Sequence, residues 1–292
     1  MSVTGAGAAS TSSMGSVVVT GTSSGIGRAC AIRLAGDGYR VFAGVRNEAD
    51  GESLAAEHER IEPLLLDVTN ESSVESAAKR VDETCADGGL LALVNNAGIA
   101  VPGPLEVLPV ADFRAQLEVN VLGQLAMTQA LLPALRRAGG RVLFVGSVGG
   151  RLAFPYAGAY TSSKHAIEAM GDALRAELRE DEIEVVLIEP AVTETKIWQK
   201  AAERTRELIA SLSIEQKRRY ENELSAFEER VRSADEHAAD PSKVADVVAK
   251  AIESRRPATR YPVGLSGKAV IRLRPFIPDR VLDAALKRPF SS

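Results

Sequence analysis

The feature that most constrains this chain is a short β-branched run, Val17-Val18-Val19, that ends on the glycine-rich stretch Thr20 to Gly27 and reopens as a helix-length segment from about Gly25 to Asp37. Strand, tight turn and helix in that order open a βαβ unit. Further apolar runs follow at Val41 to Val45, Leu64 to Leu66, Leu90 to Val94, Arg141 to Val145 and Val185 to Ile188, each separated from the last by a segment long enough for a helix. Continuous apolar strands are buried on both faces and need crossover helices to cover them. The pattern predicts an α/β fold: a doubly wound parallel sheet, Rossmann-like, with helices on both faces.

The region from Lys196 to Asp240 carries no strand signal and is rich in charge of both signs. Within it Tyr220, Leu224, Phe227 and Val231 recur at helical spacing, so an amphipathic helix there packs its apolar side on something. Its position after the sixth strand predicts a helical lid over a substrate cleft, with a solvated helical hairpin as the plainer alternative. A last strand is expected at Thr259 to Val263. The domain reading is therefore a disordered N-terminal tail over 1–15, one dehydrogenase-type domain over 16–264 with a lid insertion at 196–240, and a basic, apolar C-terminal tail over 265–292.

Composition narrows the function classes. With 45% hydrophobic and 25% charged residues the 292-residue chain has the balance of a globular protein, and its net charge of -4 argues against general binding to nucleic acid. The two cysteines, Cys30 and Cys85, form no C-x-x-C pair, and the histidines His58, His165 and His237 lie far apart in surface or loop contexts. Neither a disulfide framework nor a metal site is expected. Residues Met1 to Gly15 have no basic flank and no apolar run, so they do not read as a signal peptide, and no stretch reaches the roughly 20 apolar residues that span a bilayer. A reducing, cytoplasmic setting is the expectation.

The turn Thr20-Gly21-Thr22-Ser23-Ser24-Gly25-Ile26-Gly27 lies where a first strand meets a first helix. Glycines there let backbone N–H groups at the helix N-terminus approach a pyrophosphate, which the helix dipole favours. That placement predicts a dinucleotide site. At the end of the second strand the residues are Val45-Arg46, with no acid to take the adenosine ribose hydroxyl and a cation able to take a 2′-phosphate. NADP(H) is the expected cofactor, with NAD(H) as the alternative because Glu48 is close.

Tyr160 and Lys164 are four apart and share one helix face. An ammonium near a phenol favours the phenolate, so the pair predicts a tyrosine whose pKa falls from about 10 toward neutral and which serves as acid and base. Ser147, after the fifth strand, supplies a hydroxyl at the sheet edge where ligands of such folds bind.

In combination these residues resemble the short-chain dehydrogenase/reductase family in its compact form, over about Ser16 to Val263. The resemblance makes Gly21, Thr22, Ser23, Ser24, Gly25, Ile26 and Gly27 the cofactor turn, Asp67 and Val68 the adenine contact, and Asn95, Ala97 and Gly98 part of an N-N-A-G signature. It makes Asn120, Ser147, Tyr160 and Lys164 a catalytic tetrad, with Ser147 steadying the substrate oxygen, Lys164 also bonding the nicotinamide ribose and Asn120 holding a water that links Lys164 to solvent. Pro190, Thr193 and Thr195 fall in a segment resembling P-G-x-x-x-T, which holds the carboxamide; Ala191 stands where that pattern has glycine.

Within the family, Gly146 to Gly150, Gly103 to Glu106 and Val45-Arg46 look most like the 17β-hydroxysteroid and retinol dehydrogenase branch. The implied activity is hydride transfer between NADP(H) and a secondary alcohol or ketone on a bulky, apolar, steroid-like or retinoid-like small molecule. The competing readings are a catalytically silent nucleotide-binding sensor, against which the complete tetrad speaks, and an NAD-dependent dehydrogenase of a smaller hydroxy compound. The resemblance also implies a homodimer or homotetramer built through helices at about Ala111 to Arg137 and Tyr156 to Arg179. For the C-terminal tail, packing on its own subunit or a neighbour is favoured over peripheral contact with a membrane.

Overall fold

The computed structural model describes residues 14–85, 88–236, 238–264 and 271–287. The readings placed on residues 1–13, on His237 and on 265–270 and 288–292 of the tail lie outside the described residues.

Seven strands form one parallel sheet in the order β3-β2-β1-β4-β5-β6-β7. They are β1 (Ser16–Val19), β2 (Arg40–Val45), β3 (Ile61–Leu65), β4 (Ala92–Asn95), β5 (Arg141–Val145), β6 (Glu184–Pro190) and β7 (Arg260–Val263). The expected doubly wound sheet is what the chain forms. From β1 the chain winds outward to β3, then returns to lay β4 on the other side of β1 and winds the opposite way to β7. The reversal opens a crevice at the carboxyl ends of β1 and β4, the place where such sheets bind ligands.

Alternate strand residues feed two cores. Val17, Val19 and Leu143 pack with α1 (Gly25–Gly36) and α9 (Pro241–Glu253) on one face. Val18, Phe42, Phe144 and Leu187 pack with α3 (Glu71–Thr84), α5 (Gly123–Ala138) and α6 (Gly158–Glu177) on the other. Phe42, Phe144 and Leu187 are fully buried, each contributing roughly 1.5–3 kcal/mol of transfer free energy. The remaining helices are α2 (Glu48–Ala55), α4 (Val110–Leu117), α7 (Lys196–Ser211), α8 (Ile214–Glu236) and α10 (Asp279–Lys287).

Several boundaries differ from the sequence expectation. Met14 and Gly15, assigned there to the tail, already run beside the sheet: Met14 N–H donates to Gly38 O at 3.1 Å and Gly15 O accepts from Arg40 N–H at 2.9 Å. β3 begins at Ile61, three residues before the apolar run that announced it, and β4 runs to Asn95. Among the described residues no helix is long and apolar enough to cross a membrane.

Candidate active site

The glycine turn is built by backbone conformations that L side chains rarely adopt. Gly21 and Gly25 have φ of +68° and +56°. A Cβ at Gly21 would stand 2.8 Å from Ala97 Cα, and one at Gly27 only 2.2 Å from Gly21 O. The turn is therefore pressed between its own helix and the loop after β4. Ser24, the residue before α1, is extended and makes no side-chain cap, which leaves the first N–H groups of α1 for an anion.

Two residues absent from the predicted set brace this turn. Thr20 Oγ1 accepts from the N–H groups of Asn96 and Ala97 at 3.0 and 2.9 Å, and Asn96 Nδ2 donates to Thr20 O and Gly21 O at 2.9 and 3.0 Å. The signal was present as a hydroxyl after β1 and an amide after β4, but their meeting depends on β1 and β4 being neighbours. Asn95 itself turns away: it is fully buried and its Nδ2 donates to Thr128 on α5 at 2.9 Å. Thr22 is likewise committed, its hydroxyl donating to Gly44 O at 3.0 Å, so both serve the scaffold through their side chains. Ser23 and Gly98 are exposed, and Ile26 packs on the core below.

At the end of the crevice expected to take adenosine, Arg46 is exposed beyond β2 and Asp67 beyond β3. The hydroxyl and N–H of Thr69 hold the Asp67 carboxyl below its ordinary range, with a smaller contribution from the charge of Arg46. Val68 is buried against Gly123, where a Cβ would come within 2.7 Å of its Cγ2.

Ser147 follows β5 and caps a short 3-10 turn, Val148–Gly150, accepting from Gly149 N–H at 3.0 Å. Its hydroxyl also faces the Tyr160 phenol, whose pKa it lowers. Lys164, one turn along α6, is buried and donates to Val145 O at 2.8 Å, with Nζ 5.8 Å from the centre of the Tyr160 ring. The structure thus brings Ser147, Tyr160 and Lys164 to one place, but it corrects the expected electrostatics. Burial raises the Tyr160 phenol above its ordinary value, outweighing the Ser147 hydroxyl, and holds the Lys164 amine down to about 8 against the pull of Glu168. In the protein alone desolvation sets the direction of both shifts.

Asn120 lies in a π-helical turn, Glu118–Leu122, between α4 and α5. Its Oδ1 accepts from Ile99 N–H at 2.8 Å, while Nδ2 donates to Ile99 O at 3.1 Å and to Ser163 Oγ at 3.0 Å. Ser163 Oγ in turn donates to Tyr160 O at 2.7 Å. The Asn120 amide thereby braces the Ile99 loop against α6.

The segment from Pro190 accommodates Ala191, whose N–H donates to Val263 O at 3.1 Å; Thr193 is buried and its hydroxyl donates to Ala191 O at 3.1 Å. Thr195, just before α7, packs on the glycine turn, so that a Cβ at Gly25 would meet its Cγ2 at 2.7 Å. Its Oγ1 is buried without a partner. An uncapped helix N-terminus, a glycine cradle and a hydroxyl lacking a partner are together what a dinucleotide running from turn to nicotinamide pocket would complete. Above Tyr160 sit Trp198, Ile197 and Ala201 of α7 with Ala100, an apolar wall.

A Rossmann sheet with a glycine turn at its switch point and a Ser-Tyr-Lys group beside it defines a nicotinamide-dinucleotide oxidoreductase class. The family model for short chain dehydrogenase matches residues 16–206. The chain is 36% identical to retinol dehydrogenase 16 of Homo sapiens over 285 residues, covering 92% of this chain and 87% of that protein. A short-chain dehydrogenase/reductase from Burkholderia phymatum, solved with NAD, aligns at a TM-score of 0.76 and 25% identity over 96% of this chain and 97% of that one. A short chain dehydrogenase from Burkholderia cenocepacia, solved with NADP, aligns at 0.70 and 26% over 94% and 97%. The chain belongs to the short-chain dehydrogenase/reductase family, near its retinol dehydrogenase branch, and is an oxidoreductase of CH–OH groups.

Proposed function

We propose that this protein uses NADP(H) to interconvert a secondary alcohol and a ketone on a bulky apolar small molecule. The observation that carries the reading is the Tyr160 phenol, buried beside the Ser147 hydroxyl that lowers its pKa, one helical turn from Lys164 and in edge contact with Trp198. When bound, the nicotinamide gives or takes the hydride. Gly21 to Gly27 and the α1 N-terminus would hold the pyrophosphate, Arg46 the 2′-phosphate, Asp67 and Val68 the adenine, and Thr193 and Thr195 the carboxamide end.

Tyr160 gives a proton to the substrate oxygen in reduction and removes it in oxidation, while Ser147 donates a hydrogen bond to that oxygen as charge develops. Lys164 adds its positive charge beside the phenol and, with the cofactor in place, bonds the ribose. Asn120 fixes the wall behind Tyr160 by tying the Ile99 loop to α6. The apolar surface of Trp198, Ile197 and Ala201 favours a hydrophobic substrate, and α7 with α8 forms the lid that excludes water around it. Self-association through α5 and α6 belongs to the same reading.

Tyr160→Phe tests it, because that change removes only the proton donor. Single-turnover rates with apolar ketones and NADPH should fall by about 10²–10⁴, while titration shows NADPH binding nearly unchanged. A variant turning over within about threefold of wild type, less than 1 kcal/mol of barrier, would place the proton on another group, and absence of wild-type turnover with either cofactor across the ketone and alcohol panel would favour a sensor.

A further inference from the structure

One turn beyond Lys164 on α6, Glu168 is buried against a second acid. Glu168 is 6% exposed and Glu189, near the end of β6, is 0% exposed. Two arginines serve both. Arg151, which follows the 3-10 turn, donates to Glu189 Oε1 at 2.9 Å and meets Glu168 Oε2 at 3.1 Å. Arg260 of β7 donates to Glu168 Oε2 at 3.0 Å, lies 3.9 Å from Glu189 Oε1, and spends its other end on Asp172 at 2.7 and 2.8 Å.

Both cations thus reach one oxygen of each carboxylate. The remaining oxygens, Glu168 Oε1 and Glu189 Oε2, are buried with no hydrogen-bond partner. A buried ionised oxygen without a donor is costly, and two carboxylates sharing the same guanidinium groups resist ionising together. One bound proton removes the like-charge repulsion and leaves one buried carboxylate, rather than two, short of donors.

The site adjoins Lys164. A Cβ at Gly146 would lie 3.4 Å from Glu168 Oε1, and one at Gly150 would lie 3.0 Å from both Glu168 Cγ and Lys164 O. Glycine at both positions lets the Glu168 carboxyl approach the end of β5, whose Val145 O holds the Lys164 ammonium.

We propose that Glu168 and Glu189 hold one proton between them at neutral pH, and that Glu168 is a positioning residue that sets how long Lys164 keeps its own proton as pH rises. When the shared proton leaves to solvent, the added negative charge steadies the Lys164 ammonium, so the amine stays charged beside Tyr160 further into the alkaline range. The groups facing the pair are Lys164 and Asp172 of α6, Arg151, and Arg260 of β7. Burial and the charge of Glu189 raise the Glu168 carboxyl, and the charge of Glu168 raises Lys164, in agreement with this coupling. Only the consequence for turnover rests on the function proposed above.

Glu168→Gln tests it, since the amide mimics the protonated acid and can still accept from Arg260. Two measurements on the full-length protein separate the proton from its use. Wild type should show an infrared carboxylic-acid stretch at neutral pH that the variant loses. Because a raised carboxyl stabilises the fold at low pH and loses that contribution as pH rises, wild-type melting temperature should decline relative to the variant from about pH 5 to about pH 8. In turnover, the ratio of variant to wild-type kcat/KM should fall about tenfold between about pH 6 and pH 9, one pK unit of lost Lys164 support. A role in packing alone would lower activity by a factor independent of pH.

No infrared difference together with parallel melting curves would overturn the shared proton, even if Tyr160 proves not to be the acid. An infrared and melting difference with a pH-independent activity ratio would overturn the link to Lys164. Should Glu168→Gln fail to fold, Glu189→Gln removes the same shared proton and is read by the infrared and melting criteria; because Glu168 then stays ionised beside Lys164, its activity ratio should stay flat with pH, and a tenfold fall like that expected of Glu168→Gln would overturn the assignment to Glu168.

Discussion

The indole of Trp198 meets the ring of Tyr160 edge-on, with ring centres 5.8 Å apart and planes inclined at 61°. One side chain therefore does two things. It supplies apolar wall to the space where a substrate would stand, and it helps bury the phenol whose pKa that burial raises.

Trp198→Ala should accordingly separate substrate from cofactor. Removing the indole takes away contact area and an edge-to-face pair worth about 0.5–1.5 kcal/mol beyond its area. The apparent KM for an apolar ketone should rise about tenfold, while the Kd for NADPH, measured by fluorescence titration, changes by less than about twofold. Equal effects on both constants would show that α7 does not line a substrate site.

Cofactor choice rests on the end of β2, where Val45 is buried and Arg46 is exposed. The double change Val45→Asp with Arg46→Ala supplies an acid for the ribose hydroxyl and removes the cation for the 2′-phosphate. Its NADPH-to-NADH affinity ratio should reverse, by about tenfold or more relative to wild type. Wild-type preference for NAD(H) would sink the assignment of Arg46.

The sheet was legible because its central strands are uninterrupted apolar runs, and the places where reading failed have physical causes. β3 was seen only from Leu64 because Glu62 and Pro63 break its pattern. An edge strand tolerates both, and Glu62 there pairs with Arg40 and Arg80. The Tyr160–Lys164 spacing revealed the pair but not its electrostatics, since the burial that raises the phenol comes partly from Trp198, which packs beside it from a different helix. Glu168 carried no signal at all. Its partners Glu189 and Arg260 meet it only once β6 and β7 lie side by side.

Lys164→Met offers a test in stability rather than rate. Burial holds the folded-state amine down to about 8 from an ordinary 10.5. A lysine depressed in this way costs stability wherever it is charged in both states, below about pH 8, and the cost fades as pH rises toward 10.5, where both states are neutral. Set against the bond to Val145 O that it gives up, the variant should therefore gain on wild type below about pH 8 by up to a few kcal/mol relative to strongly alkaline buffer, the gain closing as pH rises. Denaturant melts at a series of pH values would check it; a gap that widens with pH contradicts the depressed amine.

The proposed lid has an attachment point with a conformational cost. Tyr156, four residues before Tyr160, adopts φ of +63°, a region that disfavours a residue with a Cβ, and its O accepts from Gly103 N–H at 2.7 Å. Its ring sits edge-on to Phe227 of α8 at 6.2 Å, and on the same helix Arg219 and Tyr220 both bond Glu106. Left-handed backbone costs a non-glycine residue about 1–2 kcal/mol, and an edge-to-face aromatic pair returns about 0.5–1.5 kcal/mol beyond its area. Tyr156→Gly removes both terms, which largely offset, so the change in global stability should be set mainly by the ring area lost. The attachment of α8 should loosen regardless: proteolytic cleavage within Lys196–Glu236 should accelerate several-fold and substrate KM should rise, with NADPH affinity little changed. Tyr156→Phe, which keeps the ring, should cleave at the wild-type rate. If the glycine variant shows wild-type cleavage and KM, the Tyr156–Phe227 contact does not hold α8 over the site.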